Sequence, residues 1–141
     1  MLYHLSVFLE NNPGKLEKIT KILADNKINL RAMSLASTGD FGVMKLLVDN
    51  HDKAYDVLKQ NKLAVTKRQI VAVVVDNVAG SFNILLNKLT AKNVNIEDCY
   101  GFLLGDGKTA AIVMETETEN IEGILKDIGV EALSAEKVYK Y

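Results

Sequence analysis

The segment Asn11-Asn12-Pro13-Gly14 is the one whose residue types and spacing point most directly to chemistry. Asparagine amides both donate and accept hydrogen bonds without carrying charge. Pro13 fixes φ near about −65° and suits a helix start. Gly14 permits a tight turn or the close approach of another backbone. A helix start presents unpaired N–H groups and the positive end of the dipole, a place that holds a carboxylate or a phosphate. The plainer alternative is that Asn11 or Asn12 caps the helix and Pro-Gly makes the turn.

Other reactive residues form no convincing constellation. The two histidines, His4 in an apolar run and His51 before a polar helical one, have no positional partner, and both are expected at the surface or an edge. Ser34, Ser37, Ser81 and Ser134 sit in no nucleophile-elbow pattern. Asp49/Asp52 and Glu115/Glu117/Glu119 precede helices, where acids complement the dipole, so no metal site is expected. Gly105-Asp106-Gly107-Lys108 lacks the spacing and following helix of a phosphate loop and reads as a hairpin turn. The lone Cys99 excludes an intrachain disulfide and a cysteine zinc site, and is expected to be a small core or interface residue. Tyr100 beside it is open to either a ligand contact or a packing role. No catalytic residue and no cofactor is expected.

Those residues must be held by elements that the chain encodes twice. With 141 residues and a quarter of them charged, the protein is one ordinary domain or two small ones. Seventeen basic residues balance eighteen acidic ones, which disfavours a nucleic-acid partner. Central strands also lack the aromatic pair that RNA binding on such a sheet needs. The longest apolar run, Ile70–Val75, is strand-sized, so no membrane span is expected. The start of the chain lacks the features of a signal peptide. The expectation is a soluble cytoplasmic protein.

Shifting the sequence by 66 residues places Asn11 on Asn77, Gly14 on Gly80, Leu23 on Leu89, Asn29 on Asn95, and Gly39-Asp40 on Gly105-Asp106. Each half reads as strand, helix, strand, strand, helix, strand. In the first half the patterns predict strands at Leu2–Leu9, Ile28–Ala36, Val43–Val48 and Leu63–Thr66, with helices at Lys15–Asn26 and His51–Asn61. The second half predicts strands at Gln69–Val75, Val94–Leu103, Lys108–Glu115 and Val130–Leu133, with helices at Ser81–Lys92 and Asn120–Ile128. Gly129 is placed to stop the last helix. The tail from Ala135 to Tyr141 has no clear pattern, though Val138-Tyr139 can extend an edge. The order βαββαβ is the ferredoxin-like arrangement, with two helices on one face of an antiparallel sheet. The halves divide as residues 1–67 and 68–141. With a short, stiff junction at Val65–Gln69, they are expected to pack side by side into one eight-stranded antiparallel sheet with helices on one face.

The loop, the amphipathic helix and the asparagine opening the next strand together resemble the ACT domain. The first half carries this as Asn11-Asn12-Pro13-Gly14 followed by Ile28-Asn29-Leu30, the second as Asn77-Val78-Ala79-Gly80 followed by Val94-Asn95-Ile96. The resemblance spans the chain as a tandem pair. It implies a stand-alone regulatory, allosteric module that binds a small molecule, an amino acid in the first instance, between the strand-to-helix loop of one domain and the second strand of a neighbour. The implied ligand-binding residues are Asn11, Asn12, Pro13, Gly14 and Asn29, and Asn77, Val78, Ala79, Gly80 and Asn95. Ala79 departs from the family pattern, which favours proline there, so that loop is looser or only one site is competent. The alternative is a regulatory subunit without ligand that modulates a metabolic enzyme. Ile70–Val75 and Ala110–Met114 are apolar on both alternations, so the sheet face away from the helices needs a cover. A homodimer of stacked sheets with C2 symmetry is expected.

Overall fold

Alternating apolar residues over Leu2–Glu10 form strand β1, and three of them, Leu5, Val7 and Leu9, enter one core. The structure is a computed structural model that describes residues 1–140, without the side chain of Lys140; the expectation for Tyr141 lies outside these residues. Helix α1 (Lys15–Asp25) follows, then β2 (Leu30–Thr38), β3 (Phe41–Val48) and α2 (His51–Gln60). Next come β4 (Ala64–Asp76), α3 (Ser81–Ala91), β5 (Asp98–Leu103), β6 (Thr109–Glu115), α4 (Ile121–Asp127) and α5 (Ala135–Lys140).

These elements divide into two compact units, one of residues Tyr3–Arg68 and one running from Gln69 onward together with Met1–Leu2. In the first unit the antiparallel strands run in the order β2-β3-β1. Ile19, Ile22 and Leu23 of α1 and Ala54 and Leu58 of α2 bury against Leu5, Val7, Met44, Leu46 and Val48. Both helices thus cover one sheet face, as expected. In the second unit the order is β4-β6-β5, and Leu85, Leu89 and Leu125 pack on Val71, Val73 and Met114.

Among the described residues there are six strands, so the expected eight-stranded sheet does not form. Two expected strands are lost as separate elements. Leu63–Thr66 and Gln69–Val75 merge into the 13-residue β4, because Lys67 and Arg68 continue the extended backbone instead of turning it. Residues 130–133 form only a single bridge, Val73 with Ala132, anchored by the Leu133 N–H to the Ala72 carbonyl (2.7 Å). The tail folds into α5 and extends no edge. Val138 is fully buried, and Tyr139 lies near Tyr100, which shares the sheet face opposite α3 and α4. This helix therefore backs the second unit's sheet.

The four longer helices end in one way. A leucine is followed five residues later by an aliphatic residue: Leu23 and Ile28, Leu58 and Leu63, Leu89 and Val94, Leu125 and Val130. In each pair the later N–H donates to the leucine carbonyl, at 2.9, 3.2, 3.0 and 2.9 Å respectively. The residue just before takes a left-handed φ: Lys27 (57°), Lys62 (61°), Asn93 (56°) and Gly129 (71°). This is the Schellman geometry, which satisfies orphan carbonyls and seals the helix end with an apolar contact. Gly129 stops α4 as its sequence position indicates.

Candidate functional site

The loop between β1 and α1 is fixed by its first residue. The Asn11 N–H donates to the Asp40 carbonyl and its side-chain Nδ2 to the Gly39 carbonyl, both at 2.8 Å. The amide thus ties the strand exit to the β2–β3 hairpin. Asn12 Nδ2 donates to Glu10 Oε2 (3.2 Å). Neither asparagine caps α1. The cap position is Gly14 at φ 90° and ψ −14°, and no side chain caps the helix. Pro13 lies just outside the helix. Open space surrounds the place a Gly14 Cβ would take, so the left-handed φ and not crowding requires glycine there.

The second unit builds the same loop from a different sequence. The Asn77 N–H donates to the Lys108 carbonyl and Nδ2 to the Gly107 carbonyl, again both at 2.8 Å. Gly80 caps α3 with the same φ 90° and ψ −14°, also without a side-chain cap. The hairpin partners correct the sequence alignment. Gly39 corresponds to Gly107, not to Gly105, because the β5–β6 loop is longer than the Gly39-Asp40 turn and folds on Asp106, whose Oδ1 accepts from the Lys108 N–H (2.8 Å). The hairpin glycine carbonyls are the site residues that sequence reasoning missed. Their signal was a Gly in each hairpin, obscured by that insertion.

Asn29 and Asn95 stand elsewhere. The Asn29 N–H donates to Asp49 Oδ1 (3.0 Å), and its carbonyl accepts from the Asp49 N–H (3.1 Å). Asn29 therefore sits at the start of β2, while Asn11 is tied to the turn at its end. A nine-residue strand separates them, about 25–30 Å. Asn95 likewise precedes β5, its carbonyl accepting from Thr116 Oγ1 (2.5 Å), while Asn77 reaches the hairpin beyond that strand. Within a unit, loop and strand-start asparagine do not meet around one small molecule. Asn11, Asn12, Pro13, Gly14 and Asn29 are all exposed, as are Asn77, Val78, Ala79, Gly80 and Asn95. What each loop offers chemically is the Asn Oδ1, which has no partner among the described residues, beside a helix start with uncapped N–H groups.

The remaining reactive groups are placed as follows. His4 is buried, not at the surface. His51 opens α2, its Nδ1 3.2 Å from Asp52 Oδ1 and its ring centroid 5.0 Å from that of Tyr3. The Asp52 carboxyl is held below its ordinary range by its hydrogen bond to Lys67 and then by the His51 charge. Cys99 is exposed and no core residue, since its place on β5 is a sheet edge; partial burial of the thiol and the nearby Asp98 push its pKa up. Burial, then the charge of Asp98, raises the Tyr100 phenol far above its ordinary range, so it stays protonated. Among the described residues no helix is long and apolar enough to cross a membrane.

The family model described as an ACT domain pair matches residues 1–136. No curated protein sequence matches the chain. Among solved structures, protein BT0572 from Bacteroides thetaiotaomicron is 35% identical with a TM-score of 0.91, over 99% of this chain and 96% of that one. The ligand-free regulatory subunit of aspartate kinase from Thermus thermophilus has a TM-score of 0.67 at 16% identity, over 91% of each chain. The corresponding subunit from Thermus flavus has a TM-score of 0.61 at 16% identity, over 92% of each. The likeness to these last two is one of fold.

Proposed function

Because the chain belongs to the ACT domain pair family, we propose that it is a non-catalytic regulatory protein that binds a small molecule, an amino acid in the first instance, at its strand-to-helix loops. The observation that carries this reading is the duplicated loop. Two different sequences, Asn11–Gly14 and Asn77–Gly80, are held in one backbone geometry, exposed, each with an unused amide oxygen beside an uncapped helix start. The Asn oxygen accepts from an ammonium and the helix N–H groups take a carboxylate. Asn29 and Asn95, on strand starts, complete a site only from a neighbouring domain, in this chain or in a second copy. A C2 homodimer and a cytoplasmic location belong to the same reading.

Screening the twenty amino acids by thermal shift tests it. A ligand at 100 times its dissociation constant adds about 2.7 kcal/mol. Asn11→Ala is expected to remove that gain. No shift with any amino acid at millimolar concentration overturns the sensing role. Sedimentation as a monomer at micromolar concentration overturns the dimer. One observation favours a second reading, a ligand-free subunit that modulates a metabolic enzyme as the aspartate kinase regulatory subunits named above accompany theirs. The Asn11 and Asn77 amides already have a structural task in tying the loop to the hairpin. Under that reading Asn11→Ala lowers stability and leaves every ligand response absent.

A further inference from the structure

In the first unit, alternate residues of β1 and β3 divide between the two faces of the sheet. Leu5, Val7 and Leu9, with Met44, Leu46 and Val48, enter the core beneath α1 and α2. Phe8, Glu10, Phe41 and Val43 hold the intervening positions and so lie on the opposite face. The register pairs Phe8 with Val43 and Glu10 with Phe41. The two phenylalanines are therefore diagonal neighbours, with Cβ atoms about 7–8 Å apart. They are 53% and 67% exposed, and among the described residues neither ring stacks on another. Glu10 stands beside both, and Asp40 immediately precedes Phe41. Both acids are exposed, and neither forms an ion pair among the described residues. In the second unit the corresponding register pairs Val74 with Ala111 and Asp76 with Thr109. The acid is kept there, and both rings are absent.

We propose that this end of the first unit's sheet face docks an arginine side chain of a partner protein, held between Phe8 and Phe41 and paired with Glu10. Exposed apolar surface rimmed by polar residues marks a protein contact, and arginine is a common anchor of such contacts. A flat guanidinium stacks on an aromatic face at van der Waals distance, so a separation of about 7–8 Å takes one between two rings. Its N–H groups then reach a carboxylate alongside. Glu10 Oε2 accepts from the Asn12 amide at 3.2 Å, which holds the carboxylate in place and leaves Oε1 to accept from the partner. The compact, strongly hydrated ammonium of lysine suits a slot between rings less well. Charge also selects the occupant. A two-fold contact between copies of this chain, centred on these rings, would crowd the Glu10 and Asp40 carboxylates of both copies together, whereas a cationic partner neutralises them. The surface does not depend on an amino acid binding at the loops.

The probe is the capped tripeptide acetyl-Ala-Arg-Ala-amide, titrated into the full-length protein by 1H–15N NMR. Its citrulline counterpart has the same shape without the charge, and its lysine counterpart has the charge without the plane. The arginine peptide is expected to shift the amides of Phe8, Glu10, Phe41 and Val43 saturably and to leave those of Val74, Asp76, Thr109 and Ala111 still. It should bind at least about fivefold more tightly than the citrulline peptide and at least about twofold more tightly than the lysine peptide. Phe41→Thr gives the first unit the residue that the second has there, and the ring it removes is exposed, so the fold does not depend on it. Its affinity for the arginine peptide is expected to fall at least about threefold. Glu10→Gln keeps an acceptor for Asn12 and should lower the preference for arginine over citrulline at least about threefold. Asp76→Asn should change neither. Equal affinity for the citrulline or lysine peptide, equal shifts in both units, an unchanged affinity in Phe41→Thr, or no saturable shift at tens of millimolar peptide overturns the proposal. Shifts at Phe8 and Phe41 that follow protein concentration alone also overturn it, in favour of a second copy of the chain.

Discussion

Place the β1–α1 loop beside the β4–α3 loop, and the backbone repeats while the side chains diverge. Both have an asparagine amide on a hairpin glycine carbonyl at 2.8 Å and a glycine at φ 90° and ψ −14°. Between those points Asn12-Pro13 becomes Val78-Ala79, and the helices open with Lys15 and Ser81. The features held in common are those that the chain path requires: a left-handed residue and a donor to close the loop. Those that differ decide charge and shape at the surface. The asparagine is thus explained first by the fold, and any recognition must come from what the fold leaves unused.

The largest effect should come from the shared glycines. A β-branched side chain at a left-handed φ is a severe outlier, so Gly14→Val and Gly80→Val should each cost about 2 kcal/mol in urea unfolding. A cost at one loop and none at the other would break the equivalence of the two turns. Asn11→Ala and Asn77→Ala come next. Each loses one side-chain hydrogen bond to a carbonyl, at about 1 kcal/mol. A markedly larger loss at Asn11 would show that the first loop bears more than the hairpin tie.

Smaller changes sharpen the comparison. Ala79→Pro copies the first loop into the second and should stabilise by about 0.5 kcal/mol, through the unfolded chain, if the two backbones match at that residue as they do at their glycines. Destabilisation would show that the loops part between Asn77 and Gly80. The smallest effect separates the units by chemistry. The raised pKa of Cys99 lowers its thiolate fraction at pH 8 below that of free cysteine, so iodoacetamide should alkylate it more slowly. The rate should climb as pH rises past the ordinary thiol range. A rate at pH 8 equal to that of an unfolded control would remove the shift.

Much of the local structure was legible. Apolar spacing located α1, α2, α3 and α4 to within a residue or two, because one stripe of Leu and Ile at helical period has few alternative uses. The loop asparagines and glycines were visible as repeats. Their partners were not, since the insertion around Asp106 moves the second hairpin glycine to Gly107 and only pairing across β5 and β6 reveals it. Val65–Gln69 read as a short, stiff junction between two separate strands. Strand pairing uses backbone groups that every such residue has, so β4 runs through it. His4 read as a surface or edge residue because polarity predicts exposure, but its side chain is buried.

By itself, then, the sequence determined the duplicated order of helices and strands and the points where the chain must turn. Those depend on side-chain period and on the φ range of single residues, which neighbours a few positions away settle. Only the tertiary structure decided that six strands form, that the tail becomes a helix behind the second sheet, and that Asn11 and Asn29 stand at opposite ends of β2. It also set Phe8, Glu10 and Phe41 side by side on one sheet face. Each of these depends on which distant backbone or side chain comes alongside, and long-range pairing leaves no periodic trace in the residues that make it.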